Sequence, residues 1–385
     1  MDAVRGTAAL CVCIGHTRGF LFIDHPSVHD LEFLEQVLFY ITGFANEAVI
    51  IFFVLSGFLV GGNVVSTVGE NKWSWRTYLL RRLTRLWIVI LPTLFLTLFW
   101  DSLGGWLAPS GAYEGAYREL VSVETPPANG YAGIYKELFE SKTHTFVPQD
   151  HTATTLIGNV MFLQWIVVPS FGTNIPMWSL TNEFWYYIMF PFVWLAAHRS
   201  TQGKLRAIYA LGFFLVLILL PVGISSSFAL FGFGVLSHAL VANGLGAKLF
   251  KNSIFLTTVG GLFLATLIAS SGGHWLGHKL IIGASFAVLL TGLAVIPCEN
   301  RAYNLAARGL SEISYTLYLT HFPLLAFIFF TALAPTELGP YVRFCILVPT
   351  TLVFALGTWW CFERHTNILY VWMREQSLRR RLEKT

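Results

Sequence analysis

Apolar runs of roughly 17 to 22 residues recur along the whole chain, separated by short polar connections. At 1.5 Å per helical residue, a run of that length crosses a hydrocarbon core about 30 Å thick. Ten such segments are legible, near residues 6–23, 42–63, 84–103, 177–197, 207–224, 228–245, 254–271, 280–297, 313–333 and 342–362. An eleventh apolar stretch, 153–169, is weaker and would reverse every later connection if it crossed. The pattern predicts an all-α polytopic membrane protein, a bundle of about ten transmembrane helices.

The basic residues decide between orientations. With the N-terminus placed in the cytoplasm, the even connections carry Lys72, Arg76, Arg81, Arg82 and Arg85, then Arg199, Lys204 and Arg206, then Lys248 and Lys251, then Arg301 and Arg308. Arg5, Arg364 and the basic tail join them, so that 19 of 25 Lys and Arg fall on one side. The positive-inside rule reads that side as cytoplasmic, with both termini there, and argues that 153–169 does not cross. Residues 1–370 form the membrane domain, with one long outer connection at about 104–176, and 371–385 form the basic tail. No fused soluble domain and no internal repeat is visible.

Composition agrees: 55% of residues are hydrophobic and 12% charged, about half the charge of an ordinary soluble domain, and the mean hydropathy is +0.61. The net charge of +4 reflects topology here, and no nucleic-acid partner is expected. No small-residue cleavage site follows the first apolar run, so the N-terminus is expected to be retained. A multi-pass protein of the cell (inner or plasma) membrane, in contact with membrane lipid, is the expectation. The five cysteines lie in or near predicted helices, without CxxC spacing, which argues against structural disulfides.

An ionisable side chain inside a span is costly unless it is paired or faces a wet cavity, so each one is a functional candidate. Arg5 and His16 are eleven positions apart, roughly 1100° at about 100° per residue, which puts them within about 20° of one helix face. They differ in depth by about 16 Å, roughly half the hydrocarbon core. His16 is thus a titratable imidazole near mid-membrane, suited to general-base work. Asp2 lies one turn before Arg5 and can pair with it. Arg81, Arg82 and Arg85 crowd three cations at the cytoplasmic start of the third span, an arrangement eased by a bound polyanion; positive-inside topology explains it equally well.

Glu183, with Tyr186 and Tyr187 at i+3 and i+4, opens the fourth span. Helix capping accounts for part of that signal, and an acceptor-facing or histidine-orienting role for the rest. Ser314, Tyr318 and His321 line one face of the ninth span, as a cavity lining or as helix-to-helix hydrogen bonds. The pairs His25/His29 and His274/His278 have i, i+4 spacing but no third ligand, so no metal is expected. Gly57 and Gly61 form a GxxxG suited to close helix packing. In the long connection Trp106, Tyr113, Tyr117, Tyr131 and Tyr135 can stack on sugar rings, although seating the loop at the headgroups explains them more simply. The tail MREQSLRRRLEK serves topology or binds anionic lipid heads.

Five blocks, DAVRGTAALCVCIGH, IIFFVLSGFLVGG, RRLTRLWIVILP, MWSLTNEFWYYIMFP and SYTLYLTHFP, stand in this order across almost the whole chain. Together they resemble the acyltransferase-3 superfamily of integral-membrane O-acyltransferases. The resemblance places the family's first-helix arginine and histidine on Arg5 and His16, and its third-helix arginine pair on Arg82 and Arg85. Its WSLxxE block falls on Trp178, Ser179, Leu180 and Glu183, and its SYxLYLxH block on Ser314, Tyr315, Tyr318 and His321. Two departures stand out. The chain starts directly at the first motif, so the start is expected to be truncated. Its FERHTN ending lacks the proline of the family's FExP, which leaves the role of Glu363 open. The sequence also carries no appended esterase-like domain, so the membrane domain itself is expected to reach the acceptor.

The resemblance implies transfer of an acyl group, by default acetyl, from acyl-coenzyme A on the cytoplasmic side to a hydroxyl of a carbohydrate or glycan acceptor. In this reading Arg5, Arg82 and Arg85 hold the coenzyme phosphates and His16 acts as general base, with Glu183 or His321 orienting the imidazole or the acceptor. Trp178, Tyr187 and Tyr318 contact substrate. An acyl-histidine intermediate is the competing chemistry. A secondary transporter or flippase of a lipid-linked or small polar substrate is the alternative, since it too would bury ionisable residues in a helical bundle.

Overall fold

Ser74 accepts the backbone N–H of Thr77 through its side chain at 3.4 Å, and with that cap the third apolar segment begins as a helix nine residues earlier than hydropathy places it. The computed structural model describes residues 1–21, 33–108, 150–269, 276–296 and 299–382. Its helices are α1 (Asp2–Leu21), α2 (Phe33–Thr42), α3 (Ala45–Ser56), α4 (Gly62–Gly69), α5 (Trp75–Leu107), α6 (Ala153–Val160), α7 (Trp178–Ala197), α8 (Gly203–Leu219) and α9 (Val222–Ala242). They continue as α10 (Leu245–Leu249), α11 (Ser253–Ala269), α12 (Leu276–Val295), α13 (Arg301–Ile328), α14 (Pro340–Cys361) and α15 (Thr366–Leu382). No strand occurs among the described residues.

Where they are described, the ten apolar segments lie mostly on helix, but among the described residues six helical stretches are long and apolar enough to cross a membrane: Gln36–Gly69, Trp75–Leu107, Val222–Ala242, Leu276–Val295, Arg301–Leu333 and Pro340–Gln376. Of the other segments, the one on α1 shares its helix with Asp2, Arg5 and Arg18, and the one on α8 lies in a helix of only 17 residues. The stretch at 153–169 holds only α6, eight residues long, or about 12 Å of helix, too short to cross. Asn300 caps α13 by accepting the N–H of Tyr303 at 3.0 Å, so that helix starts twelve residues before its apolar run. The 42–63 segment is broken, with a π-turn at Gly57–Gly61 between α3 and α4.

The described chain forms two compact units. The first comprises Met1–Ala8, Asn46–Tyr78 and Ser179–Ser311. Here α3 and its π-turn cross α9 at nearly backbone contact: a Cβ on Gly57 would lie 1.9 Å from the Phe231 carbonyl oxygen, and one on Gly234 1.9 Å from that of Val54. The glycines are therefore what permits the crossing.

The second unit comprises Ala9–Ala45, Leu79–Trp178 and Glu312–Thr385. Its core packs Phe20 of α1 against Phe322, Leu325 and Ala326 of α13, Phe330 and Leu333 of the following π-turn, and Leu347 of α14. The tail, read from sequence as a basic extension, is helical as α15 and docks on the start of α5. Arg81 lies over the Tyr370 ring at 5.3 Å, and Thr84 donates to the Met373 sulfur at 3.6 Å. Glu363 accepts both the backbone N–H and the hydroxyl of Thr316, at 3.2 and 2.5 Å. This carboxylate ties the end of α14 to the middle of α13, which gives Glu363 a structural role without the family's proline.

Candidate active site

In the second unit His16 of α1 meets His321 of α13, Nδ1 to Nε2 at 2.7 Å. The ring planes are 10° apart with centroids at 5.0 Å. With the nitrogens this close and the centroids this far apart, the rings approach through their edges and the contact is a hydrogen bond. Its direction follows from chemistry. His321 Nδ1 lies 3.0 Å from the Leu317 carbonyl oxygen, which can only accept, so Nδ1 carries the proton of the neutral ring. His321 Nε2 is then the acceptor, His16 Nδ1 is the donor, and the lone pair of His16 is left on Nε2. One backbone carbonyl thus sets both tautomers. His321 is fully buried and His16 half-buried. The edge of Phe322 stands against His16 at 5.3 Å and 89°.

The backbone beneath His321 is held by a device that involves a proline. Pro323 lies inside α13 and lacks the N–H that the Leu319 carbonyl would otherwise accept. Asn174 supplies a donor instead: its side-chain amide reaches Leu319 O at 2.9 Å and Thr97 Oγ1 at 3.2 Å. The Tyr318 hydroxyl donates to the Pro176 carbonyl at 3.1 Å, so residues 174–176 are fastened to α13 at Tyr318 and Leu319. Tyr318, expected to contact substrate, has its hydroxyl engaged in this fastening. Trp178, half-buried, opens α7 directly after it.

On α5, Arg82 is half-buried and Arg85 exposed. They lie inside the helix, two turns or more beyond its capped start.

In the first unit Glu183 Oε1 accepts from Ser56 at 3.2 Å and from the Tyr187 hydroxyl. Ser56 immediately precedes the π-turn at Gly57–Gly61, so the widened helical turn sits against this carboxylate. Glu183 and Tyr187 are brought together as one hydroxyl-carboxylate cluster. Pro191 lies inside α7, and the carbonyl it leaves without a helical donor, that of Tyr187, accepts the Tyr78 hydroxyl at 3.0 Å. Arg5 donates to Ser311 Oγ at 3.4 Å, and Ser311 donates to Asp2 at 3.1 Å. The serine thus bridges the acid and the base at the start of α1.

Sequence reasoning passed over Asn174, Ser56, Asp101 and His151. Asp101 lies within an apolar span, and the cost that singled out His16 applies to it equally. It accepts from the Thr173 backbone at 2.8 Å, the Thr173 hydroxyl at 2.6 Å and His151 Nε2 at 2.9 Å. Among the described residues no group of three or more His, Cys, Asp or Glu is placed to hold a metal. His25, His29, His274, Cys298, Tyr113, Tyr117, Tyr131 and Tyr135 lie outside the described residues. Trp106 is strongly exposed, and Cys11, Cys13, Cys345 and Cys361 are free thiols.

The six apolar helices of spanning length among the described residues define a helical, multi-pass membrane protein. The chain belongs to the acyltransferase-3 family: the family model, described as an acyltransferase domain, matches residues 1–360. No curated protein and no solved structure matches it.

Proposed function

We propose that the protein transfers an acetyl group from acetyl-coenzyme A to a hydroxyl of a carbohydrate or glycan acceptor, with His16 as the general base. The observation that carries this reading is the locked tautomer of the histidine pair, which puts the His16 lone pair on Nε2. Family membership supports acyl transfer and does not favour the transporter alternative. In this reading about ten segments cross the cell membrane, as the apolar runs suggest, with both termini in the cytoplasm, as the basic residues argue.

Arg82 and Arg85 hold the coenzyme phosphates from the cytoplasmic side. His16 Nε2 takes the proton of the acceptor hydroxyl while its oxygen attacks the thioester carbonyl carbon. The tetrahedral intermediate collapses with cleavage of the C–S bond, and the imidazolium returns its proton to the departing thiolate. The products are an acetyl ester and free coenzyme A. His321 holds the His16 ring and stabilises the proton on Nδ1; a base placed in this way contributes about 10² to 10⁴ in rate. No metal and no nucleic acid takes part.

The test is incubation of the protein in lipid with radiolabelled acetyl-CoA and a host glycan extract, comparing wild type with His16→Ala. Label on a glycan with wild type alone supports the reading. A label retained on the protein, with a burst of coenzyme A, would replace direct transfer by an acyl-histidine route. Absence of coenzyme A release under all conditions would overturn acyl transfer.

A further inference from the structure

Asp101 is a carboxylate within a candidate membrane span, and its side chain is completely shielded from solvent. Such a group persists only where its charge is answered, and here three donors answer it, two from Thr173 and one from His151. The close fit is built around Gly172. Its φ of +56° is in the left-handed region, and a Cβ there would stand 2.1 Å from Asp101 Oδ2 and 2.6 Å from His151 Nε2. Only glycine can carry the chain past this pair.

The hydrogen bond fixes the chemistry of His151. A carboxylate oxygen accepts, so Nε2 bears the proton and the lone pair of the neutral ring lies on Nδ1. The His151 side chain is 25% exposed, and among the described residues Nδ1 has no polar partner. The same stretch holds more unmet hydrogen-bonding capacity. Asn174 Oδ1 and Thr93 Oγ1 are buried without a partner among the described residues. Thr93, Thr97 and Asp101 recur at i, i+4 and i+8, a single stripe along α5. Buried polar atoms of this kind call for water or a ligand that supplies donors. Asp101 lies nineteen residues beyond Arg82 on α5, about 28 Å along a straight helix, so the two occupy opposite ends of a span.

We infer that the Asp101–His151 pair is the acceptor-binding site, in which His151 Nδ1 accepts a hydrogen bond from a hydroxyl of a polyhydroxylated, sugar-type acceptor arriving from the side opposite the coenzyme. The inference rests on the acyl-transfer reading for its choice of acceptor. Asp101 acts by holding the ring in the tautomer that accepts.

Two measurements on full-length protein in lipid test it. The first is the thermal shift produced by a host glycan extract, which needs no turnover. The second is the dependence of acetyl transfer on glycan and on acetyl-CoA concentration. His151→Ala is expected to abolish the glycan-induced shift and to raise the half-saturating glycan concentration about tenfold, with the KM for acetyl-CoA unchanged. His151→Gln, whose amide can donate to Asp101 and whose oxygen can still accept, is expected to recover part of both. A glycan shift equal in wild type and His151→Ala, or absent from both, overturns the inference. So does a loss that falls equally on both substrates and on the melting temperature without glycan, since that marks a purely structural clamp. If wild type transfers no acetyl group yet shows a His151-dependent glycan shift, the acyl-transfer reading fails and the binding site stands.

Discussion

Asn174 donates its side-chain amide to the carbonyl of Leu319 at 2.9 Å, the carbonyl that Pro323 leaves without a helical partner. Removing the amide strands a buried carbonyl, which costs about 1–3 kcal/mol. Asn174→Ala is therefore expected to lower the melting temperature of the protein in detergent. In a Pro323→Ala background the helix supplies its own N–H, and the same substitution should cost measurably less. A double-mutant cycle measures the difference; strictly additive effects would refute the assignment.

His321 is expected to matter through the orientation of His16. With His321→Leu, His16 Nδ1 loses its acceptor and the ring is free to take the other tautomer. The kcat for acetyl transfer should fall by about 10² or more, while the KM for acetyl-CoA and the melting temperature stay close to wild type. His321→Gln, which still offers an acceptor oxygen, should recover part of the rate. Full activity in His321→Leu would show that the pair is structural.

The helices were legible because apolar runs of spanning length leave few alternatives, and His16 and His321 were legible because the membrane makes their cost conspicuous. Their contact was not, since nothing in a one-dimensional pattern says which face of α1 meets which face of α13. The early starts of α5 and α13 were hidden for a different reason: side-chain caps at Ser74 and Asn300 extend both helices through polar residues that hydropathy assigns to connections. Asn174 is the instructive omission. Pro323 in a span announces an unsatisfied carbonyl four residues earlier, and Pro191 announces another; only the fold reveals that these two are answered by Asn174 and Tyr78.

The crossing of α3 with α9 depends on the absence of two side chains. Gly57→Ala would place a methyl 1.9 Å from the Phe231 carbonyl oxygen, and the backbone must move apart to accept it. The expected destabilisation is about 1–3 kcal/mol, read as a lower melting temperature. Gly69→Ala, where nothing lies within 4 Å of the added carbon, serves as the control and should stay near wild type. Equal behaviour of the two variants would mean that the helices do not meet as closely as described.

Arg85 is exposed on α5, whereas its neighbour Arg81 is occupied by the Tyr370 ring at 5.3 Å. If Arg82 and Arg85 hold coenzyme phosphates, Arg85→Ala should raise the KM for acetyl-CoA about tenfold with little change in kcat, because the contact is made equally in ground and transition states. Arg85→Lys should recover only part, since an ammonium cannot reproduce the bidentate fork. Arg81→Ala should leave the KM unchanged. Acetyl-dephospho-CoA locates the contact further: wild type should prefer acetyl-CoA over it, and a variant that has lost its partner on the 3′-phosphate should use both alike. If the three arginine variants show the same KM as wild type for both donors, the phosphates are held elsewhere and the cluster serves only to keep this end of α5 in the cytoplasm.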